Sequence, residues 1–185
     1  MTLGSISPSI PRMTSPIAEA LHAWRDFHFL IATSAATLIG AMFVVASIGG
    51  RFLTPTRSAA SRMFLTPTIL HLGSVLFACA LTLVPTLDDR ALAGLLGLGG
   101  VAGLGYSAAI AFNIHGRSRV EFQDRIWYAA VPVLGYAGFV AAAALIFLDA
   151  PWSLECLAAA LALLLLSGMR NAWDMVVYFV TQTPG

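Results

Sequence analysis

The sequence predicts an all-α integral membrane protein, a bundle of five transmembrane helices. Two observations lead to this fold class. Of the 185 residues, 58% are hydrophobic and only 10% are charged, whereas ordinary soluble domains carry roughly 25% charged residues. The apolar residues also form five runs long enough to cross a bilayer, which takes about 20 residues of helix. The mean hydropathy of +0.83 agrees with this class.

The five predicted spans cover residues 27–49, 64–86, 91–114, 126–148 and 152–180. Each is a continuous apolar run and lacks the alternating pattern, roughly ten residues long, of a strand in a membrane β-barrel. Helices are expected because backbone groups in lipid must be hydrogen-bonded within the segment itself. Residues 15–182 therefore form one transmembrane domain. Residues 1–14, rich in Ser and Pro, are predicted to be a disordered tail.

A short helix is predicted ahead of the first span. Ser15-Pro16 has the pattern of an N-cap followed by proline at the first helical position. Ile17, Leu21 and Trp24 then recur on one face, which is typical of an amphipathic helix in the membrane interface. The alternative is an early start of the first span.

Small residues indicate where the spans pack, because helices in lipid associate through close approach of small side chains. The third span has Gly99 and Gly103 at GxxxG spacing, with further glycines around them. We therefore expect it to be the central, most buried helix, its glycines meeting either the same chain or a second copy. In the fourth span, Pro132 is expected to disturb the helix.

Arginines in the loops predict the orientation, since positively charged loops stay in the cytoplasm. The first and third loops carry three arginines each, the second carries Arg90 alone and the fourth carries none. This distribution predicts an N-terminus outside and a cytoplasmic C-terminus. All ten basic residues are arginine, which favours a GC-rich bacterial genome and hence a bacterial inner (plasma) membrane.

Polar residues interrupt the apolar runs at a few positions. Arg170, Asn171 and Asp174 share one helical face, and an unpaired charge in hydrocarbon costs at least ~2.5–3.5 kcal/mol. The patch fits a lock between helices, a pair that snorkels to the headgroups, or part of a functional site. In the predicted orientation, a polar cluster forms in the cytoplasmic half of the membrane from His71, Asn113, His115, Arg170, Asn171 and Asp174.

Known catalytic and metal-binding patterns are missing from the sequence. It contains no GxSxG, HExxH or P-loop motif, and Cys79 and Cys156 form no CxxC pair. No metal site and no catalytic residue are therefore predicted. With a net charge of +1, there is no electrostatic case for a nucleic-acid partner.

Three functions fit these observations. The first is a small transporter or channel, with a pore between the subunits of a homo-oligomer and a polar cluster facing the cytoplasm. The second is a non-catalytic subunit, assembly factor or regulatory partner of a larger membrane complex. The third is a redox protein in which His71 and His115 hold a haem. Apart from this haem, no cofactor is expected. Under each of these functions, the helices are expected to contact the lipid bilayer.

Overall fold

The computed structural model describes the backbone of residues 15–49, 55–115 and 126–181, and the side chains in these ranges apart from residues 48–49, 55–65, 113–115 and 178–181. The predicted tail, residues 1–14, lies outside the described residues. The described part is helical and contains no strand, which confirms the all-α fold class. Its elements are α1 (Pro16–Ala23), α2 (Arg25–Gly49), α3 (Pro55–Thr82), α4 (Asp89–His115), a π-helical turn (Ile126–Ala130), α5 (Val131–Phe147) and α6 (Ser153–Thr181).

The described helices are those of a multi-pass membrane protein. Four stretches are long and apolar enough to cross a membrane: Arg25–Ser47, Asp89–Phe112, Ile126–Phe147 and Ser153–Val177. A fifth apolar stretch, Thr66–Thr82, is shorter, but it belongs to the 28-residue helix α3. A span needs about 20 residues, so the described helices are compatible with a bundle of about five.

Local sequence signals fix several helix ends. The Ser15 hydroxyl accepts a hydrogen bond from the Ala18 N–H at 3.0 Å, and the Asp88 carboxylate accepts one from the Ala91 N–H at 2.7 Å. Both are N-caps. Helix α5 ends with Asp149 in the left-handed region at φ 52°, and the Ala150 N–H reaches back to the Leu145 carbonyl at 2.9 Å. This is the Schellman arrangement that closes a helix before a turn.

The short helix α1 uses its predicted apolar face for packing. Ile17 is buried, and Leu21 and Trp24 pack against the same core. The start of α1 shares a cleft with Asp88 and Asp149. It therefore lies at the same end of the bundle as the α3–α4 and α5–α6 turns. Its position in a membrane interface stays a prediction.

Helix α5 is entered through a π-helical turn, which has a physical cause in Pro132. Proline has no N–H to donate to a carbonyl one turn earlier, and its ring crowds that carbonyl. The wider i→i+5 bonding of residues Ile126–Ala130, directly before α5, accommodates the ring. The disturbance expected at Pro132 thus takes the form of a π-helical turn.

Helix α6, and not the glycine-rich α4, is the central element of the described bundle. Helix α4 packs on α5, α5 on α6, α6 on α3 and α3 on α2, and α2 also touches α6. In an 18-residue apolar segment of each stretch, 44% of the residues are buried within Ser153–Val177, against 22% within Asp89–Phe112. The expectation that the third span is the most buried helix is therefore wrong, because α4 packs extensively on one neighbour only.

Three glycines spaced three residues apart let α4 approach α5 closely. A Cβ added at Gly97 would lie 3.4 Å from Ala143, one at Gly100 would lie 2.9 Å from Val140, and one at Gly103 would overlap the ring of Tyr136. Gly99 lies on an exposed face with no atom within 4 Å of an added Cβ. Of the predicted GxxxG pair, Gly103 packs within the chain, and a role for Gly99 with a second copy stays a prediction.

The two glycines of this pair provide a matched test of the α4–α5 contact. We expect Gly103→Ala to lower the free energy of unfolding by about 1–3 kcal/mol, because the added methyl group overpacks against Tyr136. Gly99→Ala meets open space and should be neutral or stabilising by up to ~1 kcal/mol through helix propensity. Reversible unfolding in mixed micelles, followed by circular dichroism, measures both. Equal effects at the two positions would contradict the described packing.

Candidate functional site

Buried polar side chains from four helices gather in one part of the bundle. We call them the polar layer: Thr68 and His71 on α3, Ser107 on α4, Tyr136 on α5, and Ser167 and Asn171 on α6. Direct contacts place the central members side by side: His71 meets Tyr136, Tyr136 covers Gly103, and Leu72 beside His71 covers Gly168 beside Ser167. Thr68, Ser107 and Asn171 each lie about one helical turn further along, on the side away from α1. The layer reaches from the middle of the bundle towards the end away from α1.

A hydrogen-bonded network lies at the centre of the polar layer. The Tyr136 hydroxyl is 3.1 Å from His71 Nδ1 and 3.1 Å from the Ser74 hydroxyl. Ser74 in turn donates to the carbonyl of Leu70, one turn earlier in α3, at 2.8 Å. Tyr136 is 0% exposed and His71 is 2% exposed. These bonds join α3 to α5, although His71 and Tyr136 are 65 residues apart in sequence.

Packing holds the Tyr136 ring in one position. Gly103 leaves room for one face of the ring, as described above, and Phe139 makes an edge contact with a centroid separation of 6.1 Å. The His71 ring lies against it at a centroid separation of 5.6 Å. A buried tyrosine normally finds partners for its hydroxyl, and here they are the imidazole of His71 and the hydroxyl of Ser74.

Two polar atoms of the layer have no hydrogen-bond partner within the described part of the chain. They are Asn171 Oδ1 and Ser107 Oγ, both buried. An unsatisfied buried polar group costs about 1–3 kcal/mol. The layer therefore contains hydrogen-bonding capacity that the described residues do not use.

The π-helical turn contributes to the layer through its backbone. The Ser167 hydroxyl donates to the Trp127 carbonyl at 3.4 Å. In the i→i+5 pattern, this carbonyl would receive its hydrogen bond from residue 132, which is a proline without an N–H. A serine of a neighbouring helix thus supplies the donor, as is common near prolines in membrane helices.

Arg170 and Asp174 lie at the edge of the polar layer. Their side chains, 41% and 24% exposed, form an ion pair of 3.1 Å within α6. The Tyr128 hydroxyl, from the π-helical turn, donates to the same oxygen of Asp174 at 2.7 Å. Asp174 therefore links α6 to the start of the fourth span, and Arg170 supports it from one turn away.

Of the six predicted cluster residues, Arg170, Asn171 and Asp174 lie within about one turn of α6, and His71 lies on α3 beside Leu72, which covers Gly168 of α6. His71 and Asn171 are buried in the polar layer, and Arg170 and Asp174 lie at its edge. The side chains of Asn113 and His115 lie outside the described residues, so the full cluster and the haem pair stay predictions. Among the described residues, no group of three or more His, Cys, Asp or Glu could hold a metal ion.

Sequence reasoning missed Tyr136, Ser74, Ser107 and Ser167. Hydroxyl residues are common in membrane helices and usually bond back to their own backbone, so the three serines carry no signal of their own. Tyr136 did carry one. It lies in the middle of an apolar run, away from the interface where tyrosines concentrate, and its hydroxyl must find a partner there.

Fold and site together define a multi-pass helical membrane protein with a polar layer inside its bundle. Comparison with known proteins adds no relative, since no family model, no curated protein and no solved structure matches the chain.

The two bonds to Asp174 should differ in strength. We expect the Tyr128–Asp174 bond to contribute roughly 0.6–1.7 kcal/mol, the range that double-mutant cycles give for hydrogen bonds between membrane helices. The Arg170–Asp174 pair should contribute only about 0.3–0.5 kcal/mol, because it is partly exposed and lies within one helix. Double-mutant cycles measure both, using Asp174→Ala with Tyr128→Phe and with Arg170→Gln, because alanine at 174 removes the acceptor of both contacts. A larger coupling energy for the arginine pair would refute this ranking.

Proposed function

We propose that the protein is a small transporter or channel for an ion or a small polar solute, with the polar layer as its binding region. The observation that carries this proposal is the burial of polar side chains from four helices in one half of the bundle. Polar groups inside a membrane are costly, and in membrane proteins they commonly mark substrate and ion pathways. The unpartnered atoms of Asn171 and Ser107 add to that cost.

A path between subunits fits the packing better than a path through one chain. The centre of the polar layer is filled by the Tyr136 ring, which Gly103, His71 and Phe139 surround. Among the four long apolar stretches, those of α2 and α4 have the smallest buried shares, 11% and 22% of an 18-residue segment. They are the surfaces through which copies of the chain would meet around a shared path. The proposal therefore includes a homo-oligomer.

The proposed sidedness rests on the arginines of the loops. The polar layer extends towards the end of the bundle where α2 passes to α3 and α4 passes to the fourth span. The sequence places Arg51 in the first connection and Arg57 and Arg62 in the opening turns of α3, at the same end. The second connection carries Arg117, Arg119 and Arg125. Under the positive-inside rule, that end faces the cytoplasm. We therefore propose a polar layer open to the cytoplasmic side of a bacterial inner membrane.

Flux measurements on the purified protein in liposomes test the transport proposal. A panel of monovalent cations, protons and small anions is offered across the membrane, with ion-sensitive dyes inside. We expect flux of one class, reduced at least tenfold by His71→Gln and by Asp174→Asn. Ser34→Ala is the matched control, since that hydroxyl bonds only to its own helix, at the Leu30 carbonyl. Absence of flux for the whole panel would count against transport.

A second candidate function is that of a subunit or assembly partner in a larger membrane complex. It is favoured by α2, in which only 11% of an 18-residue apolar segment is buried. One exposed face of this helix carries Thr33, Thr37, Gly40 and Ser47 at helical spacing. The three hydroxyls bond to carbonyls of the same helix, and no atom lies within 4 Å of a Cβ added at Gly40.

Purification in mild detergent separates the two candidates. If the protein is a subunit, it should co-purify with other chains in stoichiometric amounts, and Gly40→Leu should release them by blocking close approach to α2. Leu30→Ile, on an exposed part of α2 and nearly unchanged in volume, is the control. A stable preparation that contains this chain alone argues against the subunit function.

A further inference from the structure

The number of available hydrogens determines which atom donates in each hydrogen bond of the network formed by His71, Tyr136, Ser74 and the Leu70 carbonyl. Ser74 has one hydroxyl hydrogen and gives it to the Leu70 carbonyl at 2.8 Å. Its oxygen can then only accept, so the 3.1 Å contact with Tyr136 is donated by the tyrosine. The single hydroxyl hydrogen of Tyr136 is thereby used, and the 3.1 Å contact with His71 must be donated by Nδ1. All three contacts are satisfied only in the order His71, Tyr136, Ser74, Leu70.

This direction determines which nitrogen of His71 carries the free lone pair. A neutral imidazole carries one N–H, and the other nitrogen is an acceptor. With the hydrogen held on Nδ1 by Tyr136, the acceptor is Nε2. The described hydrogen bonds of His71 involve Nδ1 only. An orienting hydrogen bond on one ring nitrogen is the usual means of preparing the other for a proton or a ligand.

We infer that Nε2 of His71 is the proton-binding atom of the polar layer, and that Tyr136 and Ser74 are positioning residues that keep it an acceptor. The inference rests on the proposed transport function, which it narrows to proton transport or proton-coupled transport. The step is a simple one: a proton adds to the Nε2 lone pair, giving an imidazolium, and leaves by the same atom. No other bond in the network has to reverse, because Nδ1 donates to Tyr136 in both forms.

The network itself cannot carry the proton onward. Its last acceptor is the backbone carbonyl of Leu70. A carbonyl oxygen carries no hydrogen, so it cannot pass a proton to a further group. Proton entry and exit through Nε2 alone make His71 a binding site that must be exposed alternately, and not one link of a continuous proton wire. Tyr136 therefore does not pass the proton from His71 to the opposite side of the membrane.

Other ionisable groups stand on the elements packed around α3. Tyr136 contacts His71 directly, and Asp174 is already held by Arg170 and Tyr128. The remaining ionisable side chains of the described parts lie elsewhere on the neighbouring helices, including His28 in the first turn of α2 and Tyr106 on α4. Within the described part of the chain, none of these remaining side chains is hydrogen-bonded to His71; Tyr136 alone contacts its ring nitrogen.

Nitrogen-15 spectroscopy of the full chain in lipid nanodiscs tests the inference. Selective labelling of the four histidines gives one pair of ring signals each, and His71→Gln identifies the pair that belongs to His71. At neutral to alkaline pH, we expect the hydrogen on Nδ1 and a free lone pair on Nε2. On acidification, Nε2 should gain a proton while the Nδ1 signal changes little.

Substitutions within the network separate positioning from mere packing. Without the Ser74 hydroxyl, Tyr136 has no acceptor other than Nδ1, so Ser74→Ala should move the histidine hydrogen to Nε2. Ser74→Thr, which keeps the hydroxyl, should restore the original form. Tyr136→Phe removes the acceptor of Nδ1 and should give a mixture of both forms. Ser34→Ala, which removes a hydroxyl of the same local geometry on α2, should leave the His71 signals unchanged.

Failure of the inference and failure of the transport proposal give different results. A wild-type His71 with its hydrogen on Nε2, or an Nε2 that takes no proton at any pH at which the helices remain folded, overturns the inference even if some other ion is transported. The spectra described above combined with no proton flux would also reject proton transport, while leaving the direction of the network established. Proton flux that disappears in His71→Gln, together with those spectra, supports the inference in full.

Discussion

The hydroxyl of Tyr136 is the constraint on which the described bundle depends. It is fully buried in the bundle, and both of its hydrogen-bond partners come from the protein. Those partners, His71 and Ser74, bring α3 to α5. The ring that carries the hydroxyl needs space, and Gly103 of α4 provides it by having no side chain. One polar atom in an apolar environment thus determines contacts among three helices, which leucine packing alone would leave free to slide.

Pro132 imposes a second constraint on the same part of the bundle. Because the ring removes a donor, the backbone before it widens into a π-helical turn, and a carbonyl of that turn receives a hydrogen bond from Ser167 of α6. The turn also presents Tyr128 to Asp174. The fourth and fifth spans are therefore joined by polar contacts at the end away from α1. Small residues at Gly135 and Gly138 let these spans pack closely further along.

Composition and apolar runs were sufficient to predict the helical membrane fold, since both follow from the cost of exposing charges and backbone groups to lipid. The apolar face of α1, the irregularity at Pro132 and the burial of His71 could also be predicted from single residues. The central position of α6 could not. Glycines show that a helix can be approached closely, but only the structure shows that Gly97, Gly100 and Gly103 face α5 while Gly99 faces outward. The Tyr136 network escaped prediction because its members come from different spans.

The direction of this network allows stability and proton binding to coexist at His71. If the imidazole used its lone pair to hold Tyr136, protonation would break the contact between α3 and α5 and loosen the bundle. Because it uses its N–H, gaining a charge strengthens the same contact, since a charged donor forms the stronger hydrogen bond. The stronger hydrogen bond to Tyr136 then partly offsets the cost of desolvating the imidazolium. Because the bond to Tyr136 holds the imidazole in place, the imidazole does not itself swing between the two sides of the membrane. Nε2 would instead be exposed to either side by movement of the surrounding helices, at the less buried α2 and α4.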